Sequence, residues 1–124
     1  TPPIFMPSVG DFYAGMLVHL PLHADQFSTA VNADQLYQLY ADWYAGAALV
    51  RMGAACANDE NTPNMLAADA LADTDSMEIF VFSDAQARRF WLVARLDNLG
   101  KGASGAAVQN MNIALGIDEA ISLA

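Results

Sequence analysis

The runs Met77-Glu78-Ile79-Phe80-Val81-Phe82-Ser83 and Arg89-Phe90-Trp91-Leu92-Val93-Ala94-Arg95-Leu96 are separated only by a short polar turn around Asp84–Ala87. Two strand-length segments this rich in β-branched and aromatic residues, and this close in sequence, predict an antiparallel hairpin. The first run carries bulky groups on both faces, so its strand should be buried on both sides or nearly so. In the second, Phe90, Leu92, Ala94 and Leu96 share one face. A chain organised around such a hairpin is committed to a sheet that other elements must cover.

The rest of the chain supplies those elements. Residues 1–15 hold three prolines and two glycines and read as extended or looping. Met16–Leu22 reads as a strand, and Pro21 puts that part of it at an edge or a bulge. Asn32 starts a helix, with Gln35 three residues on in a capping-box arrangement. Leu36, Leu39, Tyr40, Trp43 and Tyr44 repeat at helical spacing and predict a face packed on the sheet, closed by Gly46. Leu49–Met52 is a short strand. Residues 53–75 are small, acidic and asparagine-bearing, and read as a long connection with one helical turn around Met65–Ala72. The fold class is therefore α+β: a mostly antiparallel or mixed sheet with helices on one face.

Bulk properties narrow the function classes. A chain of 124 residues has the length of one domain. Its 55% hydrophobic and 15% charged residues suit a protein that buries surface against another domain or a twin subunit. A net charge of −9 argues against nucleic acid, which needs a basic footprint. No apolar run reaches the roughly 18 residues of a membrane span, and nothing at the N-terminus resembles a signal peptide. A lone cysteine fits a reducing compartment, so a cytoplasmic protein is expected. Residues 1–87 contain one basic side chain, Arg51, against eleven acids, whereas Arg88, Arg89, Arg95 and Lys101 fall close together. That cluster is either a solvated hairpin or a positive patch near an anion such as phosphate.

The C-terminal segment invites a dinucleotide reading. Gly100-x-Gly102-x-x-Gly105 matches G-x-G-x-x-G, follows a predicted strand and opens a predicted helix at Ala103–Leu115. A self-contained Rossmann unit would need a second strand and an acidic residue about 20 positions on. Only 19 residues follow Gly105, and they hold one helix and a short tail with Asp118 and Glu119. Along that helix Gly105, Gln109 and Asn112 share one stripe, while most other positions are apolar or small. Such a helix is expected to be buried nearly all round. Its amides then need partners, either a neighbouring backbone or the polar edge of a ligand. Gly105 would let something approach closely.

Other chemistry is sparse. His19 and His23 flank Pro21 in a strand, with no Cys, Asp or Glu cluster beside them, so no metal site is expected. Cys56 has no basic neighbour except Arg51 and reads as a small buried or semi-buried cysteine. There is no Gly-x-Ser-x-Gly elbow and no convincing carboxylate pair. The chain carries no complete catalytic constellation of its own.

The segment Leu96-Asp97-Asn98-Leu99-Gly100-Lys101-Gly102-Ala103-Ser104-Gly105-Ala106-Ala107-Val108-Gln109-Asn110-Met111-Asn112 resembles the C-terminal signature of the N-acetyl-γ-glutamyl-phosphate reductase family. Pro3–Gly10 with Gly15–Val18 is similar to the strand after that family's histidine motif, in its shorter bacterial subtype. Met77–Phe82 and Leu92–Asn98 resemble its last hairpin, and Leu115–Glu119 resembles its end. The likeness is strong over 77–119 and loose over 24–76.

The resemblance implies an NADPH-dependent reduction of N-acetyl-γ-glutamyl phosphate to the semialdehyde in arginine biosynthesis. It proceeds through a cysteine thioester with a histidine acid/base and releases phosphate. It further implies an N-terminal Rossmann domain before Thr1, of somewhat more than about 150 residues. The family's nucleotide loop, Gly-Cys-Tyr and His-x-Pro-Glu motifs have no counterpart here, so no catalytic residue is assigned. The chain then divides into a substrate and subunit-contact part, 1–98, and a return turn and helix, 99–117, that packs on the cofactor domain. By the same resemblance Lys101, Gly102, Ala103, Ser104, Gly105, Gln109 and Asn110 form the NADP-side surface, and Asp97 and Asn98 brace the turn. A homo-oligomer is expected. Alone, the chain should be inactive, with its last helix displaced or paired with another copy. The alternatives are a non-catalytic oligomerisation or binding module derived from the family, and a relative acting on aspartyl phosphate. The Val108–Asn112 run argues against the latter.

Overall fold

The computed structural model describes residues 4–54 and 66–124. Four strands form one mixed sheet: β1 (Met16–His23), β2 (Val50–Met52), β3 (Met77–Ser83) and β4 (Arg89–Leu96). Their spatial order is β1-β4-β3-β2, with β1 and β3 antiparallel to β4 and β2 parallel to β3. The hairpin expected from the sequence forms the centre of this sheet over the same residues. Its turn is held by Asp84, whose Oδ1 accepts the N–H groups of Arg88 and Arg89 at 2.7 and 3.2 Å. Ile79, Phe80 and Val81 are buried in succession, as a strand covered on both faces requires. Pro21 does lie in an edge strand, where its missing N–H costs no ladder bond.

One helix covers the sheet. α1 (Ala33–Trp43) begins with the Asn32–Gln35 capping box: Asn32 Oδ1 accepts the N–H of Gln35 at 2.8 Å, and Gln35 Oε1 accepts that of Asn32 at 3.0 Å. Leu36 of α1 meets Val81, Phe90 and Leu92 in a core completed by Phe27, Tyr37, Tyr40 and Met52. The expected aromatic stripe is only half right. Leu36 and Tyr40 face the core, but Leu39 is 61% and Trp43 79% exposed. Tyr37, the residue after Leu36, takes the inward place, and its hydroxyl donates to the carbonyl of Gly53 at 3.2 Å. A helix has room for one sheet-facing stripe, and α1 lies over β2 and β3 rather than over the whole sheet.

On the opposite face Phe80 and Val93 are buried. Gly53 presses against the Phe80 ring so closely that a Cβ there would overlap it. The Arg95 guanidinium lies 5.0 Å from the centre of the same ring. Within the expected turn at 65–72, residues 68–73 turn the chain, while Met65 lies outside the described residues, as does Cys56.

Beyond β4 the chain makes a π-helical turn (Gly100–Ser104) that runs straight into α2 (Gly105–Ala114). Helical backbone therefore starts three residues before the expected Ala103. The burial expected of this helix is corrected. Only Gly105 and Asn112 of α2 are buried, while Met111, Ile113 and Leu115 are 54–66% exposed. The apolar pattern along α2 has no matching surface among the described residues.

Candidate functional site

The turn after β4 is built by one carboxylate. Asp97 is 2% exposed. Its Oδ1 accepts the N–H of Leu99 at 2.6 Å and of Gly100 at 3.1 Å, and its Oδ2 accepts the N–H of Asp73 at 2.7 Å. Its carbonyl accepts the N–H of Gly102 at 2.7 Å. The hydrogen bond from Leu99 leads in holding the Asp97 carboxyl below the usual carboxylate range. Desolvation opposes it, and the bonds from Gly100 and Asp73 add to it. Asp97 thus satisfies the first orphan donors of the helix and starts it early. Asn98 ties the same corner to the start of β1, where its Oδ1 accepts the N–H of Gly15 at 2.8 Å. Gly15 has φ +135°, and a Cβ there would lie 2.5 Å from the carbonyl of Ala68, so only glycine suits it.

These bonds also explain why the three glycines do not make a phosphate loop. The N–H groups of Leu99 and Gly100 serve the Asp97 carboxylate, that of Gly102 the Asp97 carbonyl, and that of Ser104 the Leu99 carbonyl at 3.0 Å. A pyrophosphate cradle needs such donors unoccupied.

The predicted surface residues divide into two groups. Gly102, Ala103, Ser104 and Asn110 are exposed. The Ser104 hydroxyl donates back to the Leu99 carbonyl at 2.7 Å. Lys101, Gly105 and Gln109 turn toward the chain's own tail and the turn before β3. Nζ of Lys101 donates to Oε1 of Gln109, and Nε2 of Gln109 donates to Oε2 of Glu119 at 2.7 Å. Asn112 donates to the carbonyls of Glu119 and Ile121 at 3.2 and 2.9 Å. The close approach expected at Gly105 is made by Asp75, whose carboxylate fills the space a Cβ would occupy. Asp75 also grips the end of the tail: its N–H donates to the Ala124 carbonyl at 2.5 Å, and its Oδ2 accepts the Ala124 N–H at 3.0 Å.

Asp75 and Glu119 were not legible as members of this site. Gly105 signalled a close approach and the amides of Gln109 and Asn112 a need for partners, but nothing local to Asp75 or Glu119 marks either as the group that answers.

The four clustered cations do not form a patch. Arg89 lies at the hairpin turn and pairs with Asp84 at 3.1 Å, while Arg95 lies six residues along β4, about 20 Å away. Glu78 stands between Arg95 and Arg51 in one cross-strand row, pairing with both, at 2.9 Å to Arg51. Burial pushes the Glu78 carboxyl up, but hydrogen bonds and charges from Arg95 and Arg51 outweigh it and hold the group below its usual range.

On the open face of the sheet the Trp91 ring, 51% exposed, lies 5.2 Å from the His19 ring and 6.5 Å from that of Phe82. His19 therefore rests against Trp91, whose ring in turn meets that of Phe82. No group of three or more metal-binding side chains occurs among the described residues, and no described helix is long and apolar enough to cross a membrane.

A family model described as the semialdehyde dehydrogenase dimerisation domain matches residues 1–98. The chain belongs to that family. Among semialdehyde dehydrogenase relatives, N-acetyl-gamma-glutamyl-phosphate reductase of Trichormus variabilis is 42% identical over 126 residues, covering 99% of this chain. N-acetyl-gamma-glutamyl-phosphate reductase 2 of a Nostoc species is 42% identical over 129 residues, with the same coverage. The enzyme of Sinorhizobium medicae is 41% identical over 91% of the chain. This chain spans 36–38% of the length of these relatives. The family resemblance read from the terminal signature is thus upheld across the chain.

Proposed function

We propose that this chain is the dimerisation and substrate-side portion of an N-acetyl-γ-glutamyl-phosphate reductase. The observation that carries the reading is the 42% identity to enzymes of that name along nearly the whole chain. In this reading residues 1–98 form the substrate and subunit-contact part, and residues 99–117 return to a cofactor domain outside this chain. The end of the family match at residue 98, where the sheet gives way to the turn, supports that division. The exposed Met111, Ile113 and Leu115 support a helix that completes its packing elsewhere.

The cofactor is NADP, and when bound as NADPH it supplies the hydride. Lys101, Gly102, Ala103, Ser104, Gly105, Gln109 and Asn110 form the surface that meets it. The observed donors fit that task. The side chains of residues 102–104 are small and exposed, so a flat ring can approach the backbone. Lys101 gives one of its three ammonium donors to Gln109, which leaves two for an anionic or carboxamide oxygen. Asp97 and Asn98 fix the turn. The nucleophilic cysteine and the histidine acid/base belong to motifs that this chain lacks, so this portion binds and orients rather than performs the bond-making. The whole enzyme is a cytoplasmic homo-oligomer, and the sheet face that carries the exposed His19 and Trp91 beside the half-buried Phe82 supports subunit contact.

The test is turnover of N-acetylglutamate semialdehyde with NADP and phosphate. The 124-residue chain alone should give none, and the complete protein should give phosphate-dependent NADPH formation. No turnover by the complete protein would favour a non-catalytic module kept for association.

A further inference from the structure

Lysine offers only donors and a carboxylate only acceptors, so a primary amide between them has one satisfying orientation. Gln109 is such an amide, with its carbonyl toward Lys101 and its NH2 toward Glu119. All three side chains are half-buried. The main chain at Glu119 is anchored separately, because Asn112 holds the carbonyls of Glu119 and Ile121, and the N–H of Ile117 donates to the Asn112 carbonyl at 3.1 Å.

We infer that Glu119 is a positioning residue for the cofactor-facing turn, fixing which edge Gln109 presents and, through it, where the Lys101 ammonium points. The inference rests on the reading of residues 101–110 as the NADP-side surface. A flipped amide would set NH2 against ammonium and carbonyl against carboxylate, two repulsive contacts in place of two charge-assisted bonds. Without the Glu119 carboxylate, only Lys101 would orient the amide. The separate backbone anchor means that a side-chain change at Glu119 leaves the tail in place.

The test measures NADP affinity directly, by calorimetry on the complete reductase, beside steady-state kinetics. Glu119→Ala is expected to raise both the Kd for NADP and the KM for NADPH about ten-fold, the scale of one charge-assisted hydrogen bond, while kcat stays within about two-fold. Glu119→Gln keeps an acceptor for Gln109 and should restore Kd to within about two-fold of the parent. Adding Glu119→Ala to Gln109→Ala should weaken binding no further than Gln109→Ala alone. If Gln109→Ala weakens binding and Glu119→Ala does not, the positioning role is overturned. If Glu119→Gln is as damaging as Glu119→Ala, with a lowered thermal midpoint in both, Glu119 is merely structural and the inference is overturned. If neither Gln109→Ala nor Lys101→Ala changes Kd, the cofactor-facing reading itself fails and takes this inference with it.

Discussion

Asp73 and Asp97 are joined across 24 residues of chain by a 2.7 Å hydrogen bond from the backbone N–H of the first to the carboxylate of the second. Asp73 has φ +61°, a left-handed conformation that aspartate tolerates better than most residues. The bond locks the turn before β3 to the turn after β4. Both corners that frame α2 therefore depend on one buried side chain.

Asp97→Asn should be among the most damaging conservative changes in the chain. An amide can accept with only one oxygen and would point its NH2 at a backbone donor. Each buried N–H left unpaired costs about 1–3 kcal/mol, so the urea midpoint should fall well below that of the parent, with an unchanged denaturant slope.

Acid should destabilise the fold through the same group. Asp97, Glu78 and Asp84 all have folded-state pKa values below their ordinary ones. A depressed carboxylate contributes stability that is fully present above its unfolded value, near pH 4, and lost as pH falls through the folded value. Unfolding midpoints measured from pH 7 downward should hold until about pH 5 and then drop. Asp97→Asn should flatten that drop.

The row Arg51–Glu78–Arg95 should behave asymmetrically. Arg51 is 60% exposed in its side chain and Arg95 only 16%. Arg51→Ala should cost less than about 1 kcal/mol, as exposed ion pairs do. Arg95→Ala should cost about 1–3 kcal/mol, because it also removes the guanidinium packed over the Phe80 ring and leaves Glu78 half-paired. Thermal unfolding of the two single variants gives the comparison.

Gly105→Ala should destabilise despite the helix preference of alanine, worth about 1 kcal/mol. The added methyl would overlap the Asp75 carboxylate and loosen its grip on Ala124. In an Asp75→Ala background the same change should be close to neutral. A double-mutant cycle on the urea midpoint reads the coupling, and additive effects would contradict it.

What the sequence disclosed follows the range of the interactions. The central hairpin, the edge position of Pro21 and the Asn32–Gln35 cap depend on residues a few positions apart, and all were legible. Leu39 and Trp43 share the spacing of Leu36, but only the angle of α1 on β2 and β3 decides which side points inward. The burial expected of α2 failed because an apolar composition records what a helix is built to meet, and the described residues do not supply that surface. At the turn, Asp97 and Asn98 were readable as braces, whereas Asp75 and Glu119 were not, since their roles depend on contacts across 30 and 10 residues.

The strand order carries a consequence for how the chain acquires its shape. The two central strands are the last two in sequence, and β1, at the far edge, pairs with a strand that begins 66 residues after it ends. On a ribosome adding about 5–20 residues per second, β1 waits on the order of 4–15 s for Leu96 to be made before its full ladder can form. Loop closure then has to bring it in across α1 and the long connection. The β1 ladder can therefore be completed only once this hairpin exists.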